Sequence, residues 1–218
     1  MIEEGSPVSL TSEPLDEYEA ELATYRRKPV LHRPAFIEML ISSILSLTAS
    51  LVLSVDAIAL AKNPAAELSC NFSKHISCST VGLSWQASLL GFPNAFLGLI
   101  AEPVVITIAI ACLTGVVFPR GFMLTAQAIY TIGLLFAYWL FYEAYFVIGA
   151  LCPWCLVVTV TTTLVFASMT RVNILEGNLR FPGGLQAKAV RGLHLGVDHA
   201  TVLLVFAVMA AMIIKNYL

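Results

Sequence analysis

Residues 151–170, LCPWCLVVTVTTTLVFASMT, decide the fold because they join a CxxC pair to a long apolar run. As a helix with a rise of about 1.5 Å per residue, the run covers the roughly 30 Å of hydrocarbon in a bilayer. Pro153 suits the first turn of such a helix, where its missing N–H would have no intrahelical partner. The helix start also favours a thiolate at the leading cysteine, Cys152. The stretch therefore predicts a reactive dithiol at the mouth of a membrane-spanning helix.

The composition of the whole chain indicates a membrane protein. Of its 218 residues 58% are hydrophobic and 12% are charged, with a mean hydropathy of +0.84, whereas a soluble domain is about 25% charged. Five apolar stretches are long enough to span a bilayer: residues 36–61, 96–118, 122–149, 151–170 and 197–214. They lack the alternation of barrel strands, and lipid offers no partner to free backbone groups. We therefore expect an all-α integral membrane protein.

The basic residues are distributed unevenly between the two sides that five crossings would define. Three lie on the side opposite the N-terminus: Lys62, Lys74 and Lys215. Because Lys and Arg are enriched in cytoplasmic segments, we expect a multi-pass protein of the plasma (inner) membrane with its N-terminus in the cytoplasm and its C-terminus outside. The other nine of the twelve are Arg26, Arg27, Lys28, Arg33, Arg120, Arg171, Arg180, Lys188 and Arg191.

The segments outside the spans have simple interpretations. Residues 1–35 begin with an acidic stretch where a signal peptide would be basic, so we interpret them as a disordered cytoplasmic tail. Residues 171–196 are interpreted as a cytoplasmic connector, because Pro182, Gly183 and Gly184 interrupt any helix there. The fifth span then occupies residues 197–218.

Two pairs of cysteines fall on the outer side of this topology. Cys70 and Cys78 lie in the first loop, and Cys152 and Cys155 begin the fourth span, so all four face the compartment where disulfides persist. Three interpretations compete: static disulfides, a zinc site with His75 as a further ligand, and a relay of two dithiols. The gap between Cys70 and Cys78 is wider than the about two to four residues of a zinc knuckle. A CxxC pair at a helix start is more typical of exchange chemistry than of stapling, so we favour the relay.

These features together resemble a bacterial, actinobacterial-like stand-alone member of the vitamin K epoxide reductase family. The resemblance covers residues 36–170, with an outer loop over 62–95, and implies a four-helix catalytic bundle to which the fifth span is added. Four cysteines in this order are specific, whereas the supporting polar residues alone are weak signals. The matching residues are Cys70, Cys78, Ser84, Pro93, Asn94, Gly98, Cys152 and Cys155.

The resemblance implies a route for electrons through four catalytic cysteines. A separate thioredoxin-like (DsbA-like) partner attacks Cys70, Cys78 then attacks Cys152, and the freed Cys155 faces a membrane quinone, menaquinone or ubiquinone. The result is disulfide formation in exported proteins. A strongly oxidising partner dithiol has a reduction potential of about −120 mV, so the electron acceptor must have a higher potential. A quinone meets this requirement, whereas a nicotinamide does not. We expect neither a metal nor a nucleic-acid partner.

Supporting residues are predicted around this route. Asn94, Ser84 and Tyr142 are the candidate quinone-binding residues, although Asn94 could instead cap the second helix and Tyr142 could belong to an interfacial aromatic belt. Residues 81–92 are interpreted as a lid along the outer surface. The candidate proton relay consists of carboxylates that we expect at the same membrane depth as the cysteines. The alternative is that they are ordinary interfacial carboxylates. These are Asp56, Glu102 and Glu143.

Alternative functions remain open at this point. Thr159 stands where the vertebrate enzymes of the family carry a tyrosine, so the resemblance supports quinone reduction rather than epoxide reduction. Another family of four-helix quinone-linked oxidases has its CxxC in the first outer loop, the opposite arrangement. The alternative from a different functional class is a non-catalytic scaffold or transporter with structural disulfides or a zinc site. Cys112, alone within the second span, is interpreted as a buried hydrophobe.

Overall fold

The computed structural model describes residues 32–182 and 184–217 and is built from five long apolar helices. We number these spanning helices from first to fifth. The prediction of an all-α membrane protein with five spans is confirmed, while most of the predicted tail lies outside the described residues. The helices are Arg33–Lys62, Ala95–Leu113, Arg120–Tyr142, Pro153–Leu175 and Val197–Tyr217.

Four short elements complete the described chain. A helix over Cys78–Gly82 and a 3₁₀ turn over Trp85–Ser88 occupy the first loop, so the predicted lid is two short turns rather than one helix. A π-helix over Glu143–Ile148 continues the third helix. A helix over Leu185–His194 lies within the predicted connector.

Two helix ends differ from the sequence prediction for local backbone reasons. The second helix stops at Leu113 instead of residue 118, because Gly115 has a φ of 101°, a left-handed conformation that ends a helix. The fourth helix continues to Leu175, beyond residue 170, and stops before Gly177, which has a φ of 65°. The apolar run therefore located each helix, but glycines set the ends.

Small residues on the first helix let its neighbours pack closely. The first helix contacts the second and fourth helices, and the third packs on the fourth. A buried serine stripe on the first helix faces these contacts. Gly98 of the second helix is so close to Ser50 that a Cβ there would lie 2.0 Å from the Ser50 hydroxyl. Close backbone approach through small residues is the usual basis of helix packing in membranes. The stripe comprises Ser42, Ser43, Ser46, Ser50 and Ser54.

The fifth helix packs on the fourth helix and is tied to the bundle at both ends. We call the end that holds the two cysteine pairs the cysteine end, and the opposite one the basic end. At the basic end Arg171 forms a salt bridge of 2.8 Å with Asp198. At the cysteine end the Tyr145 hydroxyl donates to the Met212 carbonyl at 3.0 Å. The fifth helix thus borders the π-helix that precedes the CxxC pair.

Candidate active site

The two cysteine pairs form one buried cluster. Cys70 and Cys78 are joined in a disulfide, while Cys152 and Cys155 are free thiols. The Cys152 Sγ lies 3.4 Å from the Cys78 Sγ, which is close enough for one sulfur to attack the other. Cys70, Cys78 and Cys152 are each at most 3% exposed, whereas Cys155 is half-buried. The arrangement can therefore exchange disulfides internally.

A short backbone pairing brings the pairs together. The Leu151 N–H donates to the His75 carbonyl at 2.8 Å, and the Ser77 N–H donates to the Leu151 carbonyl at 3.0 Å. This isolated parallel bridge between Ile76 and Leu151, which we call the loop bridge, lies two residues before Cys78 and directly before Cys152. Because each cysteine is within two residues of the paired backbones, the loop bridge sets the separation of their sulfurs. Nothing in the sequence pattern of either segment indicates a strand.

Asn71 holds the disulfide loop against the start of the short loop helix. Its Oδ1 accepts from the Ser77 hydroxyl and from the Ser79 N–H, both at 3.1 Å. Its Nδ2 donates to the Ser79 hydroxyl at 2.8 Å. Ser77 in turn caps the helix by accepting from the Thr80 N–H. Asn71 is a supporting residue that the sequence analysis missed, although asparagine beside a loop cysteine is a common turn signal.

Cys152 occupies the N-cap position of the fourth helix. Its Sγ accepts a hydrogen bond from the Cys155 N–H at 3.3 Å. The Cys155 thiol, which also donates to this sulfur, lowers the pKa of the Cys152 thiol, and the backbone N–H groups of Cys155 and Trp154 act in the same direction against the effect of burial. A thiolate is the nucleophile in disulfide exchange, so this environment prepares Cys152 to react with the loop disulfide.

Asp56 contacts the loop disulfide. Its Oδ2 lies 3.7 Å from the Cys70 Sγ. The ligand atoms of Asp56, Cys70 and Cys78 lie within 4.8 Å of one another, a grouping that could suggest a metal site. Joined disulfide sulfurs are not the thiolates that zinc requires. His75, the further ligand in the zinc interpretation, instead approaches the Gly149 carbonyl and the Tyr217 ring.

Asn94 and Glu143 meet at the lid through Gln86. Asn94 occupies the N-cap position of the second helix, but its side chain makes no capping hydrogen bond there. Its Nδ2 donates to the Gln86 carbonyl at 2.6 Å, and its buried Oδ1 has no partner among the described residues. The Gln86 side chain, 3% exposed, donates to Glu143 Oε2 at 3.0 Å. Gln86 was missed because a single glutamine in an apolar segment carries no spacing signal.

The sequence profile of the vitamin K epoxide reductase family matches residues 37–170, well over half of the chain. The chain belongs to this family. The matched segment contains both cysteine pairs. Membership makes the chain a membrane oxidoreductase that works through disulfide chemistry. No curated protein matches the chain.

Three of the predicted supporting residues have surroundings that differ from those expected from the sequence. The Ser84 hydroxyl donates to the Val81 carbonyl at 2.7 Å, so it steadies a turn of the lid. Tyr142 is 53% exposed and makes a tilted ring contact with Phe146, on the surface of the bundle. The geometry gives neither residue a contact with a sulfur atom among the described residues.

Glu102 is the third, and it lies deeper in the bundle than expected. Its Oε1 accepts from the Ser46 hydroxyl at 2.8 Å and from the Tyr130 hydroxyl at 3.1 Å. At about 1.5 Å per residue, Ser46 lies roughly 15 Å along the first helix from Asp56. The expectation that Asp56, Glu102 and Glu143 share one depth is therefore wrong for Glu102, which ties three helices together in the interior.

Two residues of this family member have local roles within their helices. The Thr159 hydroxyl donates to the Cys155 carbonyl at 3.0 Å, so it supports the backbone of the CxxC turn. Cys112 is buried in the apolar core among the first four helices and is separate from the cysteine cluster.

Proposed function

We propose that this chain is a quinone-dependent thiol oxidoreductase that reoxidises a separate thioredoxin-like partner and thereby drives disulfide formation in exported proteins. The observation that carries the proposal is the 3.4 Å separation between the Cys78 and Cys152 sulfurs. A contact of this kind between a loop disulfide and a CxxC thiol has no use in a protein whose cysteines only staple its loops. It is what a two-step transfer of electrons requires.

The first half of the cycle moves electrons into the CxxC pair. A partner thiolate attacks Cys70, the Cys70–Cys78 bond breaks, and Cys78 leaves as a thiolate. Cys78 attacks Cys152 of an oxidised Cys152–Cys155 pair, which forms a Cys78–Cys152 bond and releases Cys155 as a thiolate. The partner's second thiol then displaces Cys70, and the partner leaves as a disulfide.

The second half returns the loop to its disulfide and reduces the quinone. The Cys70 thiolate attacks Cys78, which restores the loop disulfide and frees Cys152. The state with a closed loop pair and two free CxxC thiols is the one in the structure. Cys152 and Cys155 then join, and their two electrons and two protons pass to the quinone to give the quinol. The half-buried Cys155 is the sulfur that we propose faces the quinone.

Polar groups near the lid suit the quinone step. The buried Oδ1 of Asn94 is an acceptor without a described partner, and a quinol hydroxyl would supply the missing donor, as buried polar groups require. We propose that Asn94 binds the ring of menaquinone or ubiquinone and that Glu143, held by Gln86, supplies protons nearby. Asp56 is proposed to receive the proton that the partner's second thiol loses when it displaces Cys70. Glu102 is too deep to serve the same step directly.

The orientation follows from charge. With the basic end in the cytoplasm, the cysteine end faces the extracytoplasmic side of the plasma (inner) membrane, where disulfides persist. A thioredoxin-like partner on that side could reach the loop. Because Cys70 is 3% exposed, the partner must displace part of the loop to attack its sulfur.

Reoxidation by quinone tests the proposed activity. We expect purified protein, reduced by a thiol and freed of reductant, to recover its CxxC disulfide rapidly when a quinone is added, as alkylation and mass analysis would show. Cys155→Ala should abolish this recovery. Cys112→Ala is the matched control, because its sulfur lies outside the cysteine cluster. Indifference of the wild-type protein to quinone would instead favour a scaffold or transporter with structural cysteines.

A trapping experiment tests the order of transfer. With Cys78 replaced by Ala, Cys70 is a free thiol, and its thiolate should attack the disulfide of the oxidised partner to form a mixed disulfide and release the partner's second thiol. This adduct should accumulate through Cys70, because no neighbouring thiol of this chain remains to displace the partner. Peptide mapping of the adduct identifies the linked cysteine. Adducts formed mainly through Cys152 would show that electrons enter at the CxxC pair and that the order is reversed.

A further inference from the structure

The last turn of the fifth helix is hydrogen-bonded to the π-helix beside the cysteine cluster. The Asn216 side-chain amide donates to the Tyr145 hydroxyl, and the Tyr217 hydroxyl donates to the Tyr145 carbonyl at 2.8 Å. Tyr145 itself donates to the Met212 carbonyl at 3.0 Å and is 7% exposed. Tyr145 is therefore held from several directions by a helix outside the four-helix core.

The same turn reaches both sides of the loop bridge. The Tyr217 ring meets the His75 ring edge-on, with centroids 5.8 Å apart and an interplanar angle of 79°. Leu151, at 2% exposure, packs in one apolar cluster with Tyr145 and Tyr217. The His75 carbonyl accepts from the Leu151 N–H in the loop bridge, so the fifth helix contacts both segments that the bridge joins.

We propose that Asn216 and Tyr217 are positioning residues for the exchange between the two cysteine pairs, acting through the loop bridge to hold Cys78 opposite Cys152. The inference rests on the proposed electron route. Neither residue contacts a sulfur atom, and their effect is on geometry. Such an effect is large in principle, because a misplacement of about 1 Å between reacting atoms can cost roughly 100-fold in rate.

An internal exchange that needs no partner or quinone tests this proposal. In Cys155→Ser protein, the Cys152 thiol attacks the loop disulfide, forms a Cys78–Cys152 bond and releases the Cys70 thiol. Electrons balance, because one disulfide replaces another. The Cys78–Cys152 bond is quantified over time, after a jump from acidic to neutral pH, by alkylation and peptide mapping.

Substitutions at Tyr217 in this background separate its two contacts. Tyr217→Ala removes the ring and the hydroxyl, and we expect the exchange to slow about tenfold or more. Tyr217→Phe keeps the ring against His75 but loses the hydrogen bond to Tyr145, so its rate should lie between those of Tyr217→Ala and the parent. Ile214→Ala is the matched control, since this side chain is on the same helix end and is 60% exposed.

A second readout distinguishes positioning from general damage. In protein that retains Cys155, Tyr217→Ala should leave single-turnover oxidation of the CxxC dithiol by quinone unchanged, because that step does not use the loop. Equal exchange rates in Tyr217→Ala and the parent would overturn the proposal, as would equal losses in both steps. If the Cys155→Ser parent forms no Cys78–Cys152 bond at all, the electron route itself fails.

Discussion

Cys152 combines two roles at a single residue, since it caps the fourth helix and faces the loop disulfide. Its position at the helix start was predicted from the CxxC spacing and the apolar run. The hydrogen bonds that stabilise its thiolate follow from that position, so the sequence was sufficient for them. The partners of Asn94 and Asn71 were not predictable, because each depends on residues brought together by the loop and lid.

The thiolate of Cys152 should persist to lower pH than the thiolate of an ordinary cysteine. Because the Cys155 thiol lowers the pKa of the Cys152 thiol, thiolate should be present above that lowered value and be lost as the pH falls through it, below the about 8.5 of an unperturbed thiol. Ultraviolet absorbance of the thiolate measures the midpoint. Cys155→Ala should move the midpoint upward, and Cys152→Ser should remove the low-pH step. An identical midpoint in Cys155→Ala would contradict the assignment of the cause.

Asp56 should make the loop disulfide harder to reduce. Its carboxylate lies 3.7 Å from the Cys70 sulfur, so its negative charge opposes the thiolate that forms there. Asp56→Asn should raise the reduction potential of the loop pair by roughly 30 mV, a tenfold change in the equilibrium. Equilibration in glutathione buffers, followed by alkylation, gives the potential. Glu67→Gln, in the same loop, is the charge-matched control, and an unchanged or lower potential in Asp56→Asn would refute the prediction.

At the scale of elements, the number and order of the spanning helices were predictable because each apolar run is long enough to cross a bilayer. Helix ends were less predictable, since they depend on single glycines such as Gly115 and Gly177. The loop bridge could not be predicted at all. It pairs segments that are distant in sequence, and neither shows the alternation by which a strand is recognised.

Contact between the first and second helices should depend on Gly98. A methyl group at this position would lie 2.0 Å from the Ser50 hydroxyl, so Gly98→Ala should lower the free energy of unfolding in detergent by about 1–3 kcal/mol through overpacking. Thermal unfolding measures the loss. Gly133→Ala on the third helix is the control, because a Cβ there meets nothing within 4 Å. Adding Ser50→Gly to Gly98→Ala should restore stability, and failure to do so would argue against a steric cause.

For the whole molecule, charge predicts which end of the bundle faces the cytoplasm. The test replaces one exposed lysine at each end of the bundle by cysteine. The readout is the amount of label incorporated in excess of that in the parent protein. With an impermeant maleimide, Lys74→Cys should react in intact cells, whereas Lys188→Cys should react only after lysis. Both positions are exposed in the structure. The reverse pattern would overturn the orientation and, with it, an extracytoplasmic partner.

The two arms of the disulfide loop are anchored unequally, and this favours one direction of electron transfer through the loop. On the Cys78 side the backbone is fastened to Leu151, whereas the chain leading to Cys70 is mostly exposed from Ala61 to Ser69. When the disulfide opens, we expect the tethered sulfur to stay docked and the other to swing outward. Each pair of electrons would then pass inward, because Cys78 keeps its contact with Cys152 while Cys70 moves towards the outer surface.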